Sequence, residues 1–116
     1  MRPLLDAKNV DPNALQKINN FYPEIIDEVK TELTKNKIVV VGMSQNPFVI
    51  KTKNLLQSKG LEFKYLEYGS YFSKWKPRLA IKLWSGWPTF PQVFVQGQLV
   101  GGYDDLVKMI NQGLLK

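Results

Sequence analysis

Trp87-Pro88-Thr89-Phe90-Pro91-Gln92-Val93-Phe94-Val95, leading through Gly97 to Gly101-Gly102-Tyr103-Asp104-Asp105-Leu106, is the stretch whose reading decides how this chain folds. Two short runs rich in apolar residues, Gln92 to Gln96 and Gln98 to Gly101, flank Gly97 and predict a hairpin. The Gly101-Gly102 pair permits a sharp turn into a last helix carrying Leu106, Met109 and Ile110. Immediately upstream, Ser85-Gly86-Trp87-Pro88 reads as the turn that separates this unit from the preceding helix.

Working outward, the run Lys37-Ile38-Val39-Val40-Val41-Gly42 is β-branched without interruption, the pattern of a central strand covered on both faces. Asn46-Pro47 opens the next helix, with Phe48, Thr52, Leu55 and Leu56 as its buried face and Gly60 as its stop. Leu61, Phe63 and Tyr65 alternate with Glu62, Lys64 and Leu66, so a second strand should follow, parallel to the first. After a loop from Gly69 to Ser73, a helix starting at Ser70 or Ser73 carries Trp75, Leu79 and Leu83, with Pro77 tolerable in its first turn. Ahead of the central strand, Asp11-Pro12 and Pro23 each start a helix, the first over 12–20 and the second ending near Asn36. The order α-α-β-α-β-α-β-β-α describes one α/β domain, with residues 1–22 a helical extension of the 23–116 core.

Composition narrows the chemistry further. The 116 residues include no cysteine and no histidine, which excludes disulfides, thiol nucleophiles, thiolate metal sites and imidazole proton transfer within this chain. A formal charge of +6 favours anionic partners in general, although scattered lysines most simply describe a solvated surface. No apolar run approaches the roughly 20 residues that span a bilayer, and the Met1-Arg2-Pro3-Leu4-Leu5-Asp6 start lacks a long apolar leader. A soluble, cytoplasmic protein that engages no membrane is expected. Trp75, Trp84, Trp87, Tyr65 and Tyr68 fall on helix, strand or loop positions that packing explains, so no nucleic-acid platform is expected either.

From about Glu24 to Lys116 the sequence resembles a glutaredoxin, and more closely the monothiol branch. The resemblance rests on the Trp87-to-Gln92 segment, the Gly101-Gly102-x-Asp104 turn, and the lead-in Arg78-Leu79-Ala80-Ile81-Lys82-Leu83-Trp84-Ser85-Gly86. It implies a thioredoxin-like fold: a four-stranded mixed sheet flanked by helices, here with an extra N-terminal helix. One block departs from the pattern. Where the family carries Cys-Pro-Tyr-Cys or Cys-Gly-Phe-Ser, this chain has Asn46-Pro47-Phe48-Val49, and the family's preceding lysine falls at Met43. Asparagine is among the best helix N-caps, stabilising by about 1 kcal/mol relative to alanine. It can therefore keep the helix start while offering no nucleophile.

The resemblance also implies a glutathione groove. The bond before Pro91 would be cis, with Thr89 and Pro91 shaping the turn and the main chain at Phe90 pairing with the cysteinyl unit. The amides after Gly102, at Tyr103 and Asp104, would receive the γ-glutamyl carboxylate, while the Asp104 side chain takes the ammonium group or caps the helix. Arg78 is the candidate for the glycyl carboxylate, with Lys82 or Lys51 as helpers, because guanidinium matches a carboxylate in a planar fork. Phe48 is either groove wall or core. Monothiol glutaredoxins hold a [2Fe-2S] cluster through cysteine, so no cluster is expected here. The functional expectation is a redox-inactive module that binds glutathione or a glutathionylated peptide. The alternatives are a protein-interaction scaffold with a vestigial groove, whose N-terminal helices supply the surface for a protein partner, and an oxidoreductase using a thiol supplied from outside the chain.

Overall fold

The computed structural model describes residues 2–115. Its helices are α1 (Pro12–Asn19), α2 (Pro23–Lys35), α3 (Pro47–Ser58), α4 (Trp75–Ser85) and α5 (Tyr103–Asn111). Its strands are β1 (Ile38–Gly42), β2 (Lys64–Glu67), β3 (Gln92–Val95) and β4 (Gln98–Gly101). The sheet order is β2-β1-β3-β4, with β1 parallel to β2 and the other pairings antiparallel. This is the mixed four-stranded sheet of a thioredoxin-like fold, in the element order expected. A short 3-10 turn at Ala7–Asn9, capped by Asp6, precedes it.

Strand alternation divides the core in two. Val39, Val41 and Phe94 meet Val29 of α2 and Ile81 of α4 on one face. Ile38, Val40, Val93 and Val95 meet Leu56 of α3 and Leu106 of α5 on the other. Every residue of β1 is buried, as an unbroken apolar run in an interior strand requires. At the hairpin tip Gln96 and Gly97 both take positive φ, 52° and 79°, the backbone twist that closes a two-residue turn. Between β3 and β4 the register shifts after Val93, so Val93 opposes Gly101 while Phe94 opposes Leu99. The extra residue, Val100, sits two residues before Gly102 and helps aim the start of α5.

Three expectations change. The second strand begins at Lys64, not Leu61, and Leu66 is buried although the alternation set it beside Glu62 and Lys64. It is an edge strand packed on both faces, which breaks the two-residue period. Phe48 is 50% exposed and does not belong to the buried face of α3, which is Val49, Thr52 and Leu56. Most consequentially, α4 starts later than Ser70 or Ser73 and presents its other face. Arg78, Ala80 and Ile81 are buried, while Trp75, Leu79 and Leu83 face solvent. The N-cap Lys74 is left-handed (φ 56°), and the preceding loop, closed by a Ser70–Ser73 bridge, sets the helix phase.

This register is testable by stability. Ile81→Ala should lower the unfolding free energy by about 3 kcal/mol, whereas Leu83→Ala should cost less than about 0.5 kcal/mol. Urea unfolding curves of the two variants would show it, and equal losses would place the α4 core face wrongly.

Candidate functional site

The loop after β1 meets the N-terminus of α3 at Asn46. The Asn46 carboxamide oxygen accepts from the amides of Phe48 (2.9 Å) and Val49 (3.1 Å), so one side chain caps two otherwise unpartnered donors. The backbone at Asn46 is extended, as an N-cap requires, and Pro47 follows at the first helical position. The local sequence Asn-Pro dictates this end of the helix.

Beside it opens a groove of about 550 Å³. One wall is the α3 N-terminus with Asn46, Pro47 and Phe48; the floor is Met43 and the segment from Trp87 to Pro91; the far wall is the α5 N-terminus from Gly102 to Asp105. Tyr71 of the loop before α4 and Lys82 of α4 close the remaining side. The Phe90–Pro91 peptide bond is cis. Phe90 packs its ring in the core, and its amide and carbonyl have no backbone partner among the described residues. The Phe48 and Tyr103 rings approach across the groove with centroids 6.5 Å apart.

At the far wall the Asp105 carboxylate accepts from the Gly102 amide at 3.0 Å, and the first intrahelical bond runs from the Leu106 amide to the Gly102 carbonyl. The amides of Tyr103 and Asp104 are left over by that pattern and open on the groove. Positive helix-end charge therefore meets the groove from α3 and α5 together, but at α3 it is already answered by Asn46. Asp104 is exposed and lines the groove; the capping carboxylate is Asp105. The third-residue carboxylate after Gly102 is a capping signature legible in the sequence.

Arg78 does not reach this groove. It is 7% exposed, and its guanidinium donates to the carbonyls of Tyr68 (2.9 Å) and Ser73 (2.6 Å). Buried on the core side of α4, it satisfies loop carbonyls that would otherwise be stranded, and so fixes the loop that carries Tyr71. Lys82, one turn further along α4, is the cation on the groove, its Nζ 5.5 Å from the Phe90 ring centroid. Lys51 lies instead over the Phe48 ring, 5.2 Å from its centroid. Thr89, Phe90, Pro91, Gly102, Tyr103 and Asp104 are thus brought together, and Arg78 is not. Nearby, the Tyr68 phenol donates to Glu28 at 2.8 Å; burial first and that carboxylate second push its pKa well above the usual tyrosine value. It ties α2 to the end of β2 as a neutral donor.

The family model described as glutaredoxin matches residues 38–100, more than half of the chain and all of β1 through most of β4. The chain belongs to the glutaredoxin family. A "Glutaredoxin-like protein" of Dictyostelium discoideum is 54% identical over 98 residues, covering 84% of this chain and 80% of that one. A probable monothiol glutaredoxin 2 of Rickettsia felis is 31% identical over 93 residues, covering 76% and 86%. The crystal structure of a buckwheat glutaredoxin–glutathione complex matches with a TM-score of 0.68 over 84% of this chain and 86% of that one, at 19% identity, a likeness of fold. This member of the glutaredoxin family has no cysteine anywhere in its sequence. Among the described residues no group of three His, Cys, Asp or Glu side chains is placed to hold a metal ion, and without thiolates the residues present do not fit an iron–sulfur cluster.

Proposed function

We propose that this glutaredoxin-family chain is a binding module for glutathione, or for the glutathionyl unit of a modified peptide, that performs no thiol exchange itself. The observation that carries the reading is the groove beside Asn46: main-chain and helix-end groups line it, and the side chain at its α3 wall is a carboxamide engaged in capping that helix. A carboxamide has no lone pair comparable to a thiolate and no proton to lose near neutral pH. The groove suits a small peptide with two carboxylates. Phe90 offers amide and carbonyl to an extended main chain, as in strand addition. The α5 amides suit one carboxylate, Asp104 an ammonium group, and Lys82 the second carboxylate in place of Arg78. The buckwheat complex with glutathione supports the choice of ligand.

Titration with reduced glutathione, followed by amide NMR, should shift Phe90, Tyr103 and Asp104 with a dissociation constant on the order of a millimolar. Lys82→Ala should weaken binding several-fold, whereas Lys17→Ala on α1, outside the groove, should not. Unmoved resonances at those three residues under saturating ligand would remove the proposal. Hydroxyethyl disulfide reduction should stay at the uncatalysed rate, because no sulfur of this chain can accept the glutathionyl group.

A further inference from the structure

The face of α4 that the core leaves out has a definite character. Trp75 and Leu83 are 59% and 61% exposed, Leu79 lies between them at i+4 spacing, and Phe72 just before the helix is 95% exposed. One row of apolar side chains therefore runs about 12 Å along the helix and projects into solvent. Beyond Leu83 it continues into a cleft of about 340 Å³ between α4 and the α1–α2 corner, walled by Ile18, Phe21, Ile26 and Trp84. Exposed contiguous apolar surface of this kind marks an interaction site.

Charge says what fits it. From Tyr68 to Tyr103 the sequence has no acidic residue, while Lys74, Lys76 and Lys82 flank the row. Among the described residues none of these lysines has a carboxylate partner; the ion pair present is Lys8–Asp6. Only the far wall of the cleft carries a carboxylate, Asp27, with Lys30 beside it. We propose that this face docks an acidic amphipathic helix of a partner protein, with apolar residues three and four apart entering the row and cleft and Asp or Glu flanking them. A second copy docked through this same face would set like charges against each other, and a concave cleft suits a helix edge better than a flat bilayer. The surface adjoins the groove at Tyr71 and shares Lys82 with it, whereas Phe72, Trp75, Lys76, Leu79 and Leu83 line no part of the groove, so variants at those residues test it separately from glutathione binding.

The test uses the full chain and two synthetic helical peptides with leucines at i, i+4 and i+8, one flanked by glutamates and one by lysines. The glutamate peptide should bind, shift the Trp75 indole and Leu79 and Leu83 methyl resonances, and weaken with added salt. Leu83→Asp and Lys76→Glu should each weaken it by about tenfold while leaving the melting temperature and the glutathione titration unchanged. Equal binding of both peptides, failure of the glutamate peptide to bind, or shifts confined to other surfaces would overturn the proposal. So would binding only to vesicles of phosphatidylserine and phosphatidylcholine, or self-association through this face in sedimentation equilibrium.

Discussion

Asn46→Cys should create a thiol that ionises below the ordinary cysteine value of about 8.5, with a pKa near 7. The position already gathers the amides of Phe48 and Val49 within 2.9 and 3.1 Å of one atom, at the positive end of a helix running from Pro47 to Ser58. A thiolate there inherits both donors and the helix field. Met43 limits the effect, since it puts a buried thioether rather than an ammonium group on the groove floor. The sign for stability follows from the depressed pKa. The thiolate's contribution is present above the unfolded value and is lost as pH falls through the folded one, so this variant should gain stability relative to wild type between about pH 7 and 8.5. Iodoacetamide alkylation against pH measures the ionisation directly. Ser58→Cys, at the opposite end of the same helix, is the control and should titrate at or above about 8.5. At pH 7 the Asn46→Cys thiol should react about tenfold faster. Equal rates would mean that the α3 terminus confers no activation, and that the architecture has lost more than a sulfur atom.

How far the sequence discloses such a site depends on the range of the physics involved. Asn46 was legible because capping is decided within three residues: an acceptor side chain, a proline at the first helical position, and two amides awaiting a partner. The hairpin at Gln96-Gly97 and the burial of β1 were equally local, one set by backbone twist and the other by a run of β-branched residues. The face of α4 was not. Trp75, Leu79 and Leu83 have helical spacing, and spacing identifies a helix without saying which side the core will take. The choice fell to Ala80, Ile81 and half-buried Trp84, which stacks on Phe94 at 6.1 Å. Arg78 was misplaced for the same reason. Its partners are carbonyls of Tyr68 and Ser73, and a loop's stranded acceptors become visible only once the loop is closed. Family resemblance aligned the residue with a groove; burial gave its guanidinium to the backbone.

Gly101→Ala should be among the more damaging single-methyl changes in the chain, because it strikes the fold and the groove through the same atoms. Gly101 has φ +129°, a region that side-chain-bearing residues rarely adopt, at the bulge where β4 hands over to α5. A Cβ there would meet the Asp105 side chain, at 2.7 Å from its Cγ and 3.0 Å from its Cβ. The Asp105 carboxylate would have to leave, and it is the acceptor of the Gly102 amide. Backbone strain of about 1–3 kcal/mol then adds to a lost cap worth about 1 kcal/mol, a large part of the 5–15 kcal/mol or so that holds a domain together. Asp105→Ala separates the two contributions, since it removes the cap without the methyl clash and should cost only about 1 kcal/mol. Denaturant unfolding gives the stabilities. Glutathione titration of whatever remains folded should show Gly101→Ala binding more weakly than Asp105→Ala, because only the former re-aims the Tyr103 and Asp104 amides. If both variants unfold at the same denaturant concentration, Gly101 is an ordinary strand glycine and the α5 terminus is positioned by something other than this turn.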